Sequence, residues 1–187
     1  WAKYQLTDGG FPYWPDGNYS DFAVSLRIAE ILSIAQEKGI SISDAIDTDA
    51  LKTYIGNEIA YLKNTKQSDK QEMFPVAYGY YVMEKLGSSV TDSDLNNILK
   101  NDYSGISEYA LAGLTWLDKG NSHKAAECAK KIKRFMSLST RGCDITQKNS
   151  SCWYYYNNKA EQYALALQLF TQIDNEDYAI KPMNCPG

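Results

Sequence analysis

The sequence predicts an all-α fold of the α/α-toroid type, in which inner and outer helices alternate along the chain. From residue 20 onward, nearly every segment repeats its apolar residues at helical spacing. These helices alternate between two kinds: the first, third, fifth and seventh are apolar around nearly the whole circumference, and the second, fourth and sixth carry one apolar stripe. Because a helix that is apolar all round must be buried, we expect the first kind to form the inner layer. The connections are short, so consecutive helices should pair antiparallel.

Seven helices are expected after a turn-rich opening of 19 residues. Their predicted ranges are 20–38, 48–63, 70–86, 92–100, 107–118, 122–138 and 158–173. Ser20 or Asp21 is the expected N-cap of the first helix, and Gly39 its C-terminal glycine. Pro75 is tolerable only near the first turn of the third helix. Residues 139–156 are predicted to form a loop or a short β-hairpin, with period-two alternation only around 152–156.

The length of 187 residues fits a single domain or a large piece of one. A closed toroid of this type conventionally has six inner and six outer helices, whereas about seven are predicted here. The chain also opens abruptly at Trp1 and stops at Gly187. We therefore expect residues 1–187 to be one partial toroid domain, a fragment truncated at both ends.

Composition makes several functions improbable. The net charge is −4, whereas nucleic-acid binding requires a clustered basic face. One dense basic run lies on the sixth helix and is predicted to be a solvated face; it consists of Lys130, Lys131, Lys133 and Arg134. No apolar run approaches the roughly 20 residues of a membrane helix, so no direct membrane insertion is expected.

The four cysteines do not form a metal-binding pattern. There is no Cys-x-x-Cys pair, and the single histidine is isolated, so neither a metal nor another cofactor is expected. Cys143 and Cys152 flank a polar loop, and a disulfide would be plausible there if the protein is exported. Cys128 is predicted to be a buried thiol, and Cys185 could pair with a residue outside the chain.

The sequence offers no catalytic residue. His123 begins the sixth helix without a paired nucleophile and is predicted to be a surface residue. Asp47 and Asp49 are interpreted as charges that favour a helix start, since the D-x-D-D acid motif of cyclases is absent. Glu161 could line a central cavity or act as a first-turn charge.

Aromatic residues form the one candidate surface. The sequence has 15 Tyr and 4 Trp, and several of them are concentrated in two loops. The candidate surface consists of Tyr13, Trp14, Tyr19, Trp153 and Tyr155. These side chains could pack at the mouth of the toroid, shield a reactive bond, or contact a protein or carbohydrate.

Residues 5–14 resemble a Q-x-x-D-G-G-F-x-x-W turn that precedes inner helices in several α/α-toroid families. These families include complement and α-macroglobulin thioester domains, terpene cyclases and protein prenyltransferases. Further segments, in the same order, resemble the bacterial α-macroglobulin pattern: 19–22, 39–42, 77–82, 85–87, 106–114, 120–126 and, around Trp153, 160–167.

The resemblance implies a protease-trapping protein that is periplasmic, secreted or part of the cell envelope. Its partners would be proteases, bound through the full-length protein, and other domains of the same chain. In that family a Cys-x-Glu-Gln segment forms an internal thioester that captures a nucleophile of the protease. The chain contains no such segment, because Lys159 stands two residues before Glu161-Gln162. In that family the segment precedes the D-G-G-F turn, so the resemblance implies either that it lies upstream of Trp1 or that this protein lacks it, as some family members do. The alternatives are a toroid enzyme, such as a cyclase or polysaccharide-active enzyme, and a non-catalytic binding scaffold.

Overall fold

The computed structural model describes residues 2–41, 46–64, 73–139, 142–146 and 158–173. Within these residues the protein has seven α-helices and one two-stranded antiparallel sheet, so the mostly-α prediction is confirmed. The elements are α1 (Phe22–Glu37), α2 (Thr48–Asn64), α3 (Phe74–Lys85), α4 (Asp92–Lys100), α5 (Ile106–Asp118), α6 (Ser122–Lys133), β1 (Met136–Ser139), β2 (Gly142–Ile145) and α7 (Lys159–Gln172).

The helix ends follow local capping chemistry. Asp21 Oδ1 accepts the backbone N–H of Val24 at 2.9 Å and thereby caps α1. Thr91, Asn121 and Asn158 cap α4, α6 and α7 in the same way. Each side-chain oxygen satisfies a backbone donor that has no partner inside its helix. The third helix, predicted from residue 70, begins at Phe74, with residues 70–72 outside the described part of the chain.

The prediction for the end of α6 was wrong. The helix ends at Lys133, and residues 136–139 form β1, which pairs with β2 in the register Met136↔Ile145 and Ser137↔Asp144. Met136 and Ile145 are buried while Ser137 and Asp144 are exposed, which is the period of a strand. Four residues are too few for that alternation to stand out from the preceding helical pattern. The segment 152–156, for which alternation was predicted, lies outside the described residues.

The chain divides into two compact units. The first contains α1, α2 and Tyr78–Lys85 of α3; the second contains the start of α3, α4 to α7 and the β-hairpin. The prediction that residues 1–187 form one truncated domain stays a prediction.

In the first unit, α1 and α3 run side by side in the same direction. The Tyr78 hydroxyl donates to Glu30, and Lys85 Nζ lies 2.8 Å from Glu37 Oε1. Both contacts join residues 48 positions apart, so the two helices are parallel. The intervening helix α2 packs on both, through Tyr54 against Phe22 of α1 and through Ile59 against the backbone of α3. This is the inner–outer–inner order that the alternation predicted.

One side of α1 is not buried, contrary to the prediction for an inner helix. Ile31 and Ile34 are 58% and 50% exposed, although the opposite side of the helix is packed. An apolar sequence allows a helix to be buried on every side, but burial also requires neighbouring segments that pack against each side. The described residues do not cover Ile31 and Ile34 of α1. α7 also departs from the prediction, since Ala164 is exposed.

In the second unit, α5 forms the centre. Every residue from Ile106 to Trp116 is buried, as expected of an inner helix. A Cβ at Gly113 would lie 2.7 Å from Leu169 of α7 and 3.1 Å from Cys128 of α6, so both helices approach its backbone closely. The rings of Tyr109 and Phe135 stack at 6.2 Å, which extends the antiparallel packing of α5 with α6.

Candidate functional site

The opening segment is fastened to α2 by the side chain of Gln5. Gln5 Nε2 donates to the Asp47 carbonyl at 2.8 Å, and the Asp47 N–H donates back to Gln5 Oε1 at 2.8 Å. The carboxylate of Asp47 accepts the N–H of Ala50 at 2.9 Å, and Asp49 forms an ion pair with Lys52. Both aspartates therefore serve the start of α2, which agrees with the interpretation as helix-start charges.

Asp8 and its two glycines form the turn that follows. Asp8 Oδ1 accepts the N–H of Gly10 at 3.0 Å and the hydroxyl of Ser20 at 2.7 Å. Gly9 has a φ of 90°, and a Cβ at this position would overlap the carbonyl oxygen of Ala50. The turn therefore requires glycine at position 9 for both its backbone conformation and its close contact with α2.

Phe11 anchors the segment in the core of the first unit. Its side chain is 1% exposed, its N–H donates to Ser25 Oγ at 2.9 Å, and its carbonyl accepts the N–H of Asp21 at 2.7 Å. We call residues 5–11, with these bonds to Ser20, Ser25 and Asp47, the opening clasp. It joins the starts of α1 and α2, so the Q-x-x-D-G-G-F sequence has a structural role here.

Beyond the clasp, residues 12–20 form a closed loop that we call the aromatic loop. Pro12 and Ser20 pair as an isolated antiparallel bridge at its base, and the Gly17 N–H donates to the Trp14 carbonyl at 2.8 Å. The rings of Tyr13 and Trp14 meet edge to face, 5.0 Å apart at 79°.

The aromatic loop carries its rings into solvent. Tyr13 is 53% exposed, Trp14 71% and Tyr19 89%. The structure therefore groups the first three residues of the predicted aromatic surface. The other two, Trp153 and Tyr155, lie outside the described residues.

Glu58 of α2 was not identified from the sequence. Burial raises the pKa of its carboxyl group, and the negative charge of Asp8 in the opening clasp raises it further. The only feature of the sequence that indicated partial burial of Glu58 was its position beside Ile59. Because half-buried acids are common on outer helices, that feature did not distinguish it.

The hairpin is attached to α7 by a second polar cluster that was also missed. Asp144 Oδ1 lies 2.7 Å from Lys159 Nζ and accepts the Tyr163 hydroxyl at 3.1 Å, while the Ile145 N–H donates to the Tyr163 oxygen at 3.0 Å. The bonds from Lys159 and then Tyr163 lower the pKa of Asp144. The cluster is exposed and joins two elements, which indicates a structural role.

The remaining candidates within the described part of the chain do not assemble into a reaction centre. His123 is exposed at the start of α6, and Glu161 lies in the first turn of α7, where its N–H donates to Asn158. Cys128 is fully buried, and burial raises its pKa to about 12. Cys143 lies in β2 but its side chain is not among the described atoms; Cys152 and Cys185 also fall outside them.

The described ranges contain neither a metal-binding cluster nor a membrane-spanning helix. No group of three or more His, Cys, Asp and Glu residues there could hold a metal ion. None of the helices described is both long and apolar enough to cross a bilayer.

The basic run on α6 is only partly the solvated face that was predicted. Lys131 Nζ donates to the Leu99 carbonyl at 2.8 Å and lies over the Tyr109 ring, and Lys133 lies over the Phe170 ring. These two lysines are half-buried, because their stems cover apolar surface, while Lys130 and Arg134 are exposed.

No protein-family model matches the sequence, and no curated protein matches it. The fold, in contrast, is similar to that in the crystal structure of native α-2-macroglobulin from Escherichia coli, which spans domain MG7 to the C-terminus. The superposition has a TM-score of 0.66 with 19% sequence identity and covers 97% of this chain. The two share a fold. The chain spans 28% of the length of that structure's chain.

Proposed function

We propose that this chain is part of the thioester domain of a bacterial α-macroglobulin-like protein that traps proteases. The observation that carries the proposal is the fold shared with Escherichia coli α-2-macroglobulin over 97% of the chain. The opening clasp adds support, because the residues that resemble the family's turn form one connected set of bonds. The corresponding location would be the periplasm, the cell envelope or the exterior.

In this proposal the chain supplies the scaffold and the reactive bond comes from another segment of a longer polypeptide. Residues 1–187 contain no Cys-x-Glu-Gln. Gln162, which follows Glu161, is 4% exposed on α7, so it is not available to a protease either. The partners would be proteases, captured by the full-length protein, and neighbouring domains of the same polypeptide. The chain would have no enzymatic activity of its own.

The first test is the coding sequence on the 5′ side of the Trp1 codon, followed by methylamine labelling of the protein it encodes. We expect a Cys-x-Glu-Gln segment there. Methylamine opens a thioester by attacking its acyl carbon, forming an amide with the glutamine side chain and releasing the cysteine thiol. The intact protein should incorporate one methylamine per chain and release one thiol.

The matched control is the same protein with the cysteine of that segment changed to Ser, which should incorporate none. Residues 1–187 expressed alone should also remain unlabelled. A coding sequence without Cys-x-Glu-Gln, or an intact protein that takes up no methylamine, would contradict the proposal of a reactive domain.

A non-catalytic binding scaffold is the second candidate, favoured by the exposed rings of the aromatic loop. It shares the fold and differs in lacking the thioester, so the methylamine experiment separates the two. A toroid enzyme has less support. Asp47 and Asp49, which would be the acids of a cyclase, are engaged in starting α2.

A further inference from the structure

Two exposed apolar surfaces of the first unit are complementary to each other. One is the aromatic loop, whose most exposed rings are Trp14 and Tyr19. The other is a stripe of α1 formed by Arg27, Ile31, Ile34 and Lys38, which we call the α1 stripe. Its spacing of four, three and four residues places these positions on one face of the helix. Large side chains exposed in this way on a folded surface indicate an interaction site.

The charges of the two surfaces are opposite in sign. Residues 4–26, which include the aromatic loop, contain Asp8, Asp16 and Asp21 and no Lys, Arg or His. The α1 stripe has its two isoleucines between Arg27 and the exposed Lys38. Glu30 and Glu37 border the stripe beside Ile34, but Glu30 is paired with Arg27 at 3.2 Å and Glu37 with Lys85 at 2.8 Å. Lys38 therefore gives this surface its net positive charge. An apolar centre with a charged rim is the common composition of a protein interface.

The shape of the loop favours a protein partner over a carbohydrate. A sugar-binding platform needs ring faces that lie flat and side by side, whereas Tyr13 and Trp14 meet at 79° and form a wedge. The absence of basic residues between positions 4 and 26 likewise disfavours an anionic membrane surface. A wedge suits insertion against a curved apolar surface such as the side of a helix.

The two surfaces of one molecule do not meet each other. The base of the loop is closed by the Pro12–Ser20 bridge and anchored by Phe11, so its position is set by the start of α1. Ile31 is nine residues farther along that helix than Phe22, or about 14 Å at 1.5 Å per residue. A loop held in this way can reach the stripe only on another molecule.

We propose that the aromatic loop of one copy of this chain binds the α1 stripe of a second copy. The contact is heterologous, because different surfaces meet, and each copy therefore keeps one unused loop or stripe. The interface is small, so association should be weak, with a dissociation constant on the order of 10⁻⁵ to 10⁻⁴ M. This proposal does not depend on the proposed function.

The test is sedimentation of purified residues 1–187 over a concentration series, with two variants that each remove one surface. The loop variant is Trp14→Ala with Tyr19→Ser, and the stripe variant is Ile31→Gln with Ile34→Gln. All four residues are at least half exposed, so neither variant should unfold, which circular dichroism checks. The wild-type mass should rise with concentration, and each variant should weaken association by about tenfold or more.

Mixing the two variants gives the decisive result. The loop variant keeps an intact stripe and the stripe variant keeps an intact loop, so an equimolar mixture should form a 1:1 dimer and nothing larger. The matched control is Tyr61→Gln, which removes a 64% exposed aromatic residue on α2 and should leave association unchanged.

Three outcomes would overturn the proposal. The first is a wild-type chain that stays monomeric up to about 1 mM, well above the expected dissociation constant. The second is a loop or stripe variant that associates as strongly as wild type. The third is a mixture of variants that stays monomeric while the wild type associates, which would show that the contact needs both surfaces on the same copy.

Discussion

At the scale of single residues, Gln5, Asp8 and Phe11 of the opening clasp each have a different structural role. The Gln5 side chain hydrogen-bonds to the backbone of Asp47, and the Asp8 carboxylate accepts a hydrogen bond within the turn. The Phe11 side chain is buried in the core. Resemblance identified this motif from the sequence, but it gave no role to the individual positions. Their partners lie up to 42 residues away, and a local pattern contains no information about contacts at that distance.

Gly9 is the clasp position that tolerates substitution least. Gly9→Ala should destabilise the protein by about 2–4 kcal/mol, because alanine is strained at positive φ and its Cβ overlaps the Ala50 carbonyl. Gly39→Ala is the matched control: its φ is 69°, but a Cβ there meets nothing within 4 Å. It should cost only about 1 kcal/mol. Urea denaturation measures both, and equal losses would show that the overlap at Gly9 is relieved by movement.

Glu58 should make the protein less stable as the pH rises. Its pKa is raised in the folded state by burial and by Asp8, so the folded protein binds the proton more tightly than the unfolded chain. That stabilisation is present below the ordinary glutamate pKa and is lost as the pH rises through the higher folded value. Glu58→Gln has no charge to lose, so at pH 7 it should be more stable than wild type by a few tenths of a kcal/mol.

The control for Glu58→Gln is Glu127→Gln, which should change the free energy of unfolding at pH 7 in the opposite direction. A hydrogen bond from Lys124 lowers the pKa of Glu127, so Glu127→Gln should destabilise the protein at pH 7. The Glu58 difference should disappear below about pH 4, where the carboxyl group is protonated in the unfolded chain as well. The Glu127 difference should shrink from the ordinary glutamate pKa downward and be lost only as the pH falls through the lower folded value. Urea titrations between pH 3.5 and 8 provide the comparison. If Glu58→Gln and wild type keep the same difference at every pH, the effect is not electrostatic.

At the scale of elements, α6 shows how far a sequence pattern can be followed. Its apolar stripe was predicted to consist of Ala125, Cys128, Ala129, Ile132 and Phe135. The first four residues form the buried face of the helix, whereas Phe135 lies beyond its end and is half-buried. The predicted C-terminal end of α6 was wrong because the basic residues before the strand fit a helical pattern equally well. The Asp144 cluster that fixes the hairpin joins residues 15 and 19 positions apart, which no helical or strand period predicts.

The burial of α6 can be tested through Cys128. With a pKa of about 12, about one thiol in ten thousand is ionised at pH 8, and the side chain is fully buried. We expect no alkylation of Cys128 by iodoacetamide in the native protein over an hour. The same peptide should be labelled completely in 6 M guanidinium, and mass spectrometry of the digest distinguishes it from the other cysteine peptides. Labelling in the native protein at the denatured rate would show that α6 opens readily.

At the scale of the whole molecule, the fold class could be predicted from the sequence, but the exposed side chains of its surface could not. Helical periodicity depends on residues three and four apart, and for that reason the seven helices and the buried α5 could be predicted. Whether Ile31 and Ile34 are covered depends on segments far away in the chain or on other molecules. The same limit applied to Tyr13, Trp14 and Tyr19: the sequence showed that they were grouped but not that they were exposed.

The parallel contact between α1 and α3 also has a mechanical consequence. Glu30 with Tyr78 and Glu37 with Lys85 are separated by the same number of residues on each helix, so the two links are aligned along the axis. A force that slides one helix past the other therefore loads both links together. The two links should therefore resist the sliding of α1 past α3 jointly.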